Sequence, residues 1–336
     1  TRRKIIVIYI PQRWEEYTSY TIDGETFDLH DYIKAFCAEK GIMSQLIREK
    51  TVQDYNQKCQ IHWWLSLSFY VKSFRTPWIL ANSDNTTAFA GLGYSVDSKV
   101  DSNGHIVLGC SHIYSSSGEG LKFKLARISN DKIQWRHRKP HLCYDDAYEF
   151  GKNIIELFYE SMNELPKRVV IHKRTYFTEE EKQGIIDSIS DNNKIESIDL
   201  IEINFEDNIK YTSSKIVEGK ACVDGFSVSR GSCILLNSKE ALLWAHGVVP
   251  SVRNPNFSFY PGGRYIPKPL RIIKHYGVGS LEQIANEILG LTKMNWNSLN
   301  MYSQLPATIC SSNDIARIGK LIDSNSKHEY DYRYFI

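Results

Sequence analysis

Between residues 88 and 205 the sequence alternates in a way that leaves few folds open. "AFAGLGYSVD", "GHIVLGCSHIY" and "LKFKLARI" are short apolar segments separated by "SKVDSNG" and "SSSGEG", both rich in turn residues. Strands joined by turns of this kind form an antiparallel meander. A helical pattern at about 144–164 follows, then a buried strand "RVVIH", a second helix "TEEEKQGIIDSISDN", and another strand "SIDLIEIN". Further on come "SCILLN", the loop "NPNFSFYPGGRYIPKP", a helix near 280–290 and a final helix from about Asn313.

Three antiparallel strands, a helix, a strand, a helix and a strand is the order of an RNase H-like fold. The first 80 residues are organised differently. The strand "IIVIYI" (5–10) ends at Pro11, and a polar loop rich in Glu, Tyr and Thr runs to about residue 27. A helix is predicted from Asp28, a suitable N-cap, to Gly41 in the C′ position. "SQLIREKTV" reads as a short strand and turn, and "IHWWLSLSFYVKSFRTPWIL" as a buried helix broken at Thr76-Pro77. Strand, helix, strand, helix is a small α/β unit with a parallel sheet.

The classes excluded are few. "IIVIYI" is too short to cross a bilayer, and its flanks are unlike a signal peptide. The seven cysteines (Cys37, Cys59, Cys110, Cys143, Cys222, Cys233, Cys310) are scattered without CxxC spacing, so neither a disulfide framework nor a zinc site is signalled. A reducing cytoplasm is the simplest location. Forty-one Lys and Arg against thirty-nine Asp and Glu give a net charge of +2, so any polyanion site must come from local clustering.

One such cluster lies on the first helix. His30 and Lys34 are four apart and share a face. With Gln45 and Lys72 brought in by the fold, they would make a compact donor set suited to a phosphate. Trp63, Trp64, Phe69 and Tyr70 offer either core or a stacking face. Spacing alone favours the plainer account, in which Lys decorates a helix surface and the Trp pair fills a core.

"HDYIKAFCAEKGIMSQ" followed by "FYVKSFRTPW" resembles the MID domain of prokaryotic Argonaute proteins. "TAFAGLGYSV", "RVVIHKRTYF", "GGRYIPKPLRIIKHYG", "ILGLTKMNWNS" and "LPATICSSNDIARIGKLI" resemble segments of the PIWI domain, in order and over nearly the whole chain. The implied fold class is α/β, with a small Rossmann-like MID domain over 1–80 and an RNase H-like PIWI domain over 81–336. The resemblance implies that His30, Lys34, Gln45 and Lys72 bind the 5′-phosphate of a guide strand. It also implies a Mg²⁺ at that phosphate, with Gln45 and the carboxylate of Ile336 as protein ligands, an oxygen set that suits the ion. The first 80 residues are few for a MID domain and the chain opens on Thr1. A complete short Argonaute and part of a longer inactive one both stay open.

Active PIWI domains cut the target with Asp, Glu, Asp and a final Asp, His or Asn, because two Mg²⁺ about 4 Å apart need those oxyanions. Here the first position falls on Gly93, the third on His172 and the last on Asn313; Glu119 is an insecure match for the glutamate. Asp97 shares a strand face with Gly93 but lies roughly 13 Å along it. The expectation is an inactive nuclease centre and no catalytic residue, with an active guide-directed endonuclease as the alternative. Candidate guide or target backbone contacts are Lys173, Arg174, Arg253, Arg264, Lys268, Arg271 and Lys274. The stretch 253–275 holds five Arg or Lys and no acid, which fits a duplex channel and a solvated glycine-bearing loop about equally. The resemblance to short, inactive members further implies a 5′-phosphorylated RNA guide, a single-stranded DNA target, a partner effector bearing an APAZ-like region, and defence against plasmids or phage. A membrane partner is not expected.

Overall fold

The computed structural model describes residues 4–22, 25–54, 56–81, 86–96, 105–110, 122–129, 133–136, 139–192, 194–212, 214–223, 228–249, 266–297, 302–322 and 329–336. Strand β1 (Ile5–Ile10) leads into a 3₁₀ turn at Gln12–Tyr17 and a hairpin of β2 (Ser19–Ile22) and β3 (Glu25–Asp28). A loop was expected here. The hairpin is held by Tyr20 stacking on Phe27 across the strands, at 4.9 Å between ring centroids, a pairing hidden in a polar run. Helix α1 (Leu29–Glu39) starts where predicted: the Asp28 carboxylate accepts from the Asp31 amide. It stops at Lys40, followed by Gly41 with φ of +64°.

Strand β4 (Met43–Arg48) pairs parallel with β1, Ile5 opposite Met43 through Ile10 opposite Arg48. A short α2 (Glu49–Gln53) and then α3 (Lys58–Lys72) follow. The prediction of a buried α3 is corrected: it buries only Leu67, Ser68, Val71 and Lys72, and Trp63 is 63% exposed. Its last turns alone reach the core, so the tryptophans upstream do not fill it.

The second unit is built on β5 (Thr87–Val96), β6 (His105–Cys110) and β7 (Lys122–Ser129), the predicted antiparallel meander. A small hairpin of β8 (Gln134–Arg136) and β9 (Lys139–His141) precedes α4 (Tyr144–Met162). Then come β10 (Arg168–Lys173), α5 (Glu179–Ser190) and β11 (Ser197–Phe205), with β5, β10 and β11 mutually parallel. Hairpin β12 (Ser214–Val217) with β13 (Lys220–Val223) stands apart from the central sheet. Strands β14 (Cys233–Leu235), β15 (Glu240–Leu243) and β16 (Leu270–Tyr276) add antiparallel to one side of that sheet. After α6 (Leu281–Leu291) and α7 (Ala307–Gly319), β17 (Glu329–Asp331) pairs with β7. The sheet thus runs β14-β15-β16-β11-β10-β5-β6-β7-β17.

Helix α7 begins at Ala307 rather than near Asn313, because Pro306 sits at its N-cap and the segment after it continues the apolar helical stripe. Helices α4 and α5 cover one face of the sheet, with Phe150, Ile154, Ile185 and Ile189 in that core. The other core joins α6 and α7 to Ala35, Ala38, Leu67, Val71, Phe335 and Ile336, so the first unit and the C-terminal residues share it. Two glycines let α7 lie on the sheet. A Cβ at Gly91 would stand 2.0 Å from Thr308 O, and one at Gly93 would stand 2.7 Å from Ser312 O. Among the described residues no helix is long and apolar enough to cross a membrane.

Candidate nucleic-acid interface

Three of the four predicted phosphate ligands meet where α1, β4, α3 and the C-terminal residues converge. Lys34 Nζ donates to Ser44 O at 2.7 Å and to Ile336 O at 2.5 Å. Lys72 Nζ donates to Gln45 Oε1 and, at 2.8 Å, to Ser68 Oγ; Ser68 Oγ in turn donates to Gln45 Oε1 at 2.6 Å. Both lysines are almost wholly buried. His30 lies one helical turn from Lys34, half-exposed, with Nδ1 3.1 Å from Asp31 Oδ1. The sequence reading missed Ser68 and the buried Asp31, which pairs with Arg317 on α7. Ser68 had a signal: it lies four residues before Lys72, one turn of the same helix face. The Asp31–Arg317 link joins distant segments and had none.

Gathering two ammonium groups in a buried place is costly. Burial, and the charge of Lys34 beside it, lower the Lys72 pKa to about 6. Burial lowers Lys34 to about 8, against a hydrogen bond with Lys72 that raises it. Burial and the two lysines push His30 down to about 4. The expected helix-borne cation pair is therefore corrected to one lysine beside a neutral imidazole. A site that withholds charge from its own bases until a counter-ion arrives is suited to a multivalent anion. Gln45 Oε1 and Ile336 O, the expected Mg²⁺ ligands, are hard oxygens brought to the same lysine pair, so their chemistry fits the ion, although both now accept from a lysine.

The predicted nuclease positions converge at the contact between β5, β10 and α7. Gly93 packs under Ser312 and Asn313, with no space for a side chain. His172 is wholly buried and lies opposite Gly91, its Nδ1 2.8 Å from Thr308 Oγ1. Burial lowers its pKa to about 3. In the β5–β10 register His172 lies level with Gly91 and Lys173 with Leu92, so His172 sits two residues short of the level of Gly93. Asp97 and Glu119 lie outside the described residues. Among the described residues, the expected positions hold glycine, histidine and asparagine, a set without a carboxylate.

No protein-family model matches the sequence, and no curated protein matches it. Solved structures do match. The structure of Clostridium butyricum Argonaute bound to a guide DNA and a 19-mer target DNA superposes with a TM-score of 0.66 at 19% identity, covering 99% of this chain and 39% of that one. The fold is that of an Argonaute. Aquifex aeolicus Argonaute superposes with a TM-score of 0.62 at 20% identity, over 99% of this chain and 41% of that one. The chain spans about two-fifths of the length of the structures it matches.

Within this Argonaute fold the predicted backbone contacts divide sharply. Lys173 is corrected: it is wholly buried and ion-paired to Glu181 at 2.6 Å, on the face of β10 away from α7. Arg271 lies on β16, bonded to Glu240 at 2.8 Å and near Glu206 at 3.4 Å, and Lys274 on the same strand donates to Gly279 O. The basic loop expected over 253–275 therefore ends in a strand whose Leu270 and Ile272 face the core. Lys268 is paired with Asp207 at 2.5 Å on the exposed surface. Arg253 and Arg264 lie outside the described residues. Arg174 stays half-buried directly after β10, against Asn204 and Phe205 of β11.

Proposed function

We propose that the chain is a guide-dependent nucleic-acid recognition module that holds the 5′-phosphate of a guide strand and does not cut the target. The convergence of Lys34, Lys72, Gln45 and Ser68 in one buried pocket, next to His30, carries this reading. Phosphate oxygens would replace acceptors that the lysines now hold separately, Ser44 O and Ile336 O for Lys34 and Gln45 Oε1 and Ser68 Oγ for Lys72. The guide then pairs with its target, so that sequence is read by the bases while protein contacts hold the backbones. In the same reading the guide is RNA, the target single-stranded DNA, and pairing is relayed in the cytoplasm to an effector bearing an APAZ-like region. The outcome is prokaryotic defence against plasmids or phage by an inactive Argonaute.

Replacing Lys34 or Lys72 by Ala should weaken binding of a 5′-phosphorylated guide by about 1–3 kcal/mol, the cost of a lost charge-assisted contact. A 5′-hydroxyl guide should lose much less. Equal losses for the two guides, measured by equilibrium titration, would remove the pocket from this reading. Incubating the loaded protein with target and Mg²⁺ or Mn²⁺ should leave the target whole; sliced target would establish the endonuclease instead.

Mg²⁺ belongs to the proposal, held by Gln45 Oε1 and Ile336 O with the remaining oxygens from phosphate and water. When bound it supplies positive charge to the phosphate. Chelation with EDTA should then weaken phosphorylated-guide binding and leave the hydroxyl guide unaffected. If both are unaffected, the lysines alone hold the phosphate.

A further inference from the structure

The central sheet ends on two edges of different character. Strand β17 carries Glu329 and Asp331, and charge on a short edge strand keeps further strands away. Strand β14 holds Cys233, Ile234 and Leu235, followed by Leu236, with no charge among them. Ile234, Leu235 and Leu236 are 42%, 45% and 46% exposed. Among the described residues β15 is the only neighbour of β14. The hydrogen-bonding phase of the edge is fixed. Trp244 N donates to Ser232 O and Leu236 N to Glu240 O, both at 2.9 Å, so Ser232, Ile234 and Leu236 face β15. Cys233 and Leu235 therefore each turn an N–H and a C=O outward. Their side chains line a cavity of about 320 Å³ between β14 and α6. Leu243, Ala285 and Leu289 make its lining apolar, and Glu282 and Asn286 of α6 are exposed beside it. Among the described residues Glu282 makes no ion pair.

Outward N–H and C=O groups on a strand edge are matched by another strand, whose own groups repeat at the same spacing. Residues of an added strand opposite Cys233 and Leu235 would share their face, which is the face of the cavity. The unpaired Glu282 carboxylate sets the complementary charge. We propose that the β14 edge docks an extended segment of a separate protein chain. The segment adds to the sheet as a further strand, places an apolar side chain in the cavity and brings a Lys or Arg to Glu282. The edge strand carries no cation with which to hold a nucleic acid. The site lies at the other end of the sheet from β17 and does not rest on the guide-binding function.

Selection of displayed random peptides on the wild-type chain, with Leu235→Pro as the subtractive target, tests the site. Proline at 235 removes an outward N–H and leaves the ladder to β15 in place. The enriched peptides should carry apolar residues at alternate positions and a Lys or Arg. A synthetic peptide of that pattern should bind the wild type and lose about tenfold in affinity with Leu235→Pro, through one hydrogen bond and the apolar contact beside it. Asn286→Phe, an exposed change that fills the cavity, should weaken the same peptide, and it serves as the subtractive target should the proline variant not fold. Glu282→Lys should cost about two- to fivefold, recovered when the peptide's cation is replaced by Glu. Hydrogen exchange at the Cys233 and Leu235 amides should be fast in the free chain and slow in the complex. No enrichment over the subtractive target, or binding indifferent to both Leu235→Pro and Asn286→Phe, overturns the proposal. A wild-type dimer that Leu235→Pro dissociates also overturns it, by giving the edge to a second copy. Guide affinity, which should be equal in all three variants, reads the earlier proposal separately.

Discussion

Glu181→Ala should lower the stability of the fold by about 3–5 kcal/mol, the cost of leaving a buried charge unpaired. Lys173 Nζ sits 2.6 and 2.7 Å from the two Glu181 oxygens, and neither side chain reaches solvent. The carboxylate also accepts from the Leu142 amide at 2.8 Å, the Thr178 amide at 3.0 Å and Tyr94 OH at 3.2 Å, with His141 Nδ1 at 3.2 Å. It closes the capping box of α5 as well. Removing it strands the ammonium and several donors together. Lys173→Ala should cost less, because the carboxylate keeps its backbone amides. The double variant Lys173→Met, Glu181→Leu should recover part of the loss. Burial alone would raise the Glu181 pKa, but His141, Lys173 and the Thr178 amide bring it to about 2. A depressed acid stabilises the fold above its unfolded pKa and loses that contribution as pH falls from about 4.5 towards 2. Urea titrations of the variants at pH 7, and of the wild type down to pH 3, measure both effects. An alanine variant as stable as the wild type would show that the network contributes nothing net.

Lys173 also marks what sequence reasoning could reach. The order of β5 to β11 was legible because turn residues punctuate it, and α1 because Asp28 and Gly41 bracket it. In "IHKR", however, a one-residue step decides between opposite faces of a strand. His172 points to α7, while Lys173 points to Glu181. Nothing in a run of basic residues gives that phase; it comes from the pairing with β5. Strand β16 was missed for a related reason. Arg271 and Lys274 made its segment read as a basic loop, although Leu270, Ile272 and Arg271 alternate as a half-buried strand should. The pocket is different again. Lys34, Gln45 and Lys72 lie on three elements, and only a resemblance, not their spacing, linked them before their contacts were known.

The affinity for a 5′-phosphorylated end should fall as pH rises above 7, by up to about tenfold per unit, because each proton taken up on binding shifts the constant by that factor. With no anion bound, Lys72 titrates at about 6 and Lys34 at about 8, so near neutrality the pocket holds fewer than two positive charges. A phosphate dianion favours the charged form of both amines, and binding draws protons from solvent. Below pH 6 the opposing effect takes over, since a phosphomonoester loses its second proton near about 6 and binds less well as the monoanion. The optimum should therefore lie between the two effects, at about pH 6–7. A 5′-hydroxyl guide should show none of this slope. The empty protein runs the other way: a lysine lowered in the folded state binds its proton better when unfolded, so this site adds stability as pH rises from about 6 towards 10.5. Lys72→Met should flatten both slopes. Calorimetry in buffers of different ionisation enthalpy should report uptake approaching one proton per phosphorylated guide at pH 7.5. Uptake of none, with affinity constant from pH 6.5 to 8.5, would mean that both amines are already charged before the phosphate arrives, and that the buried pair pays no electrostatic cost for which an anion is the remedy.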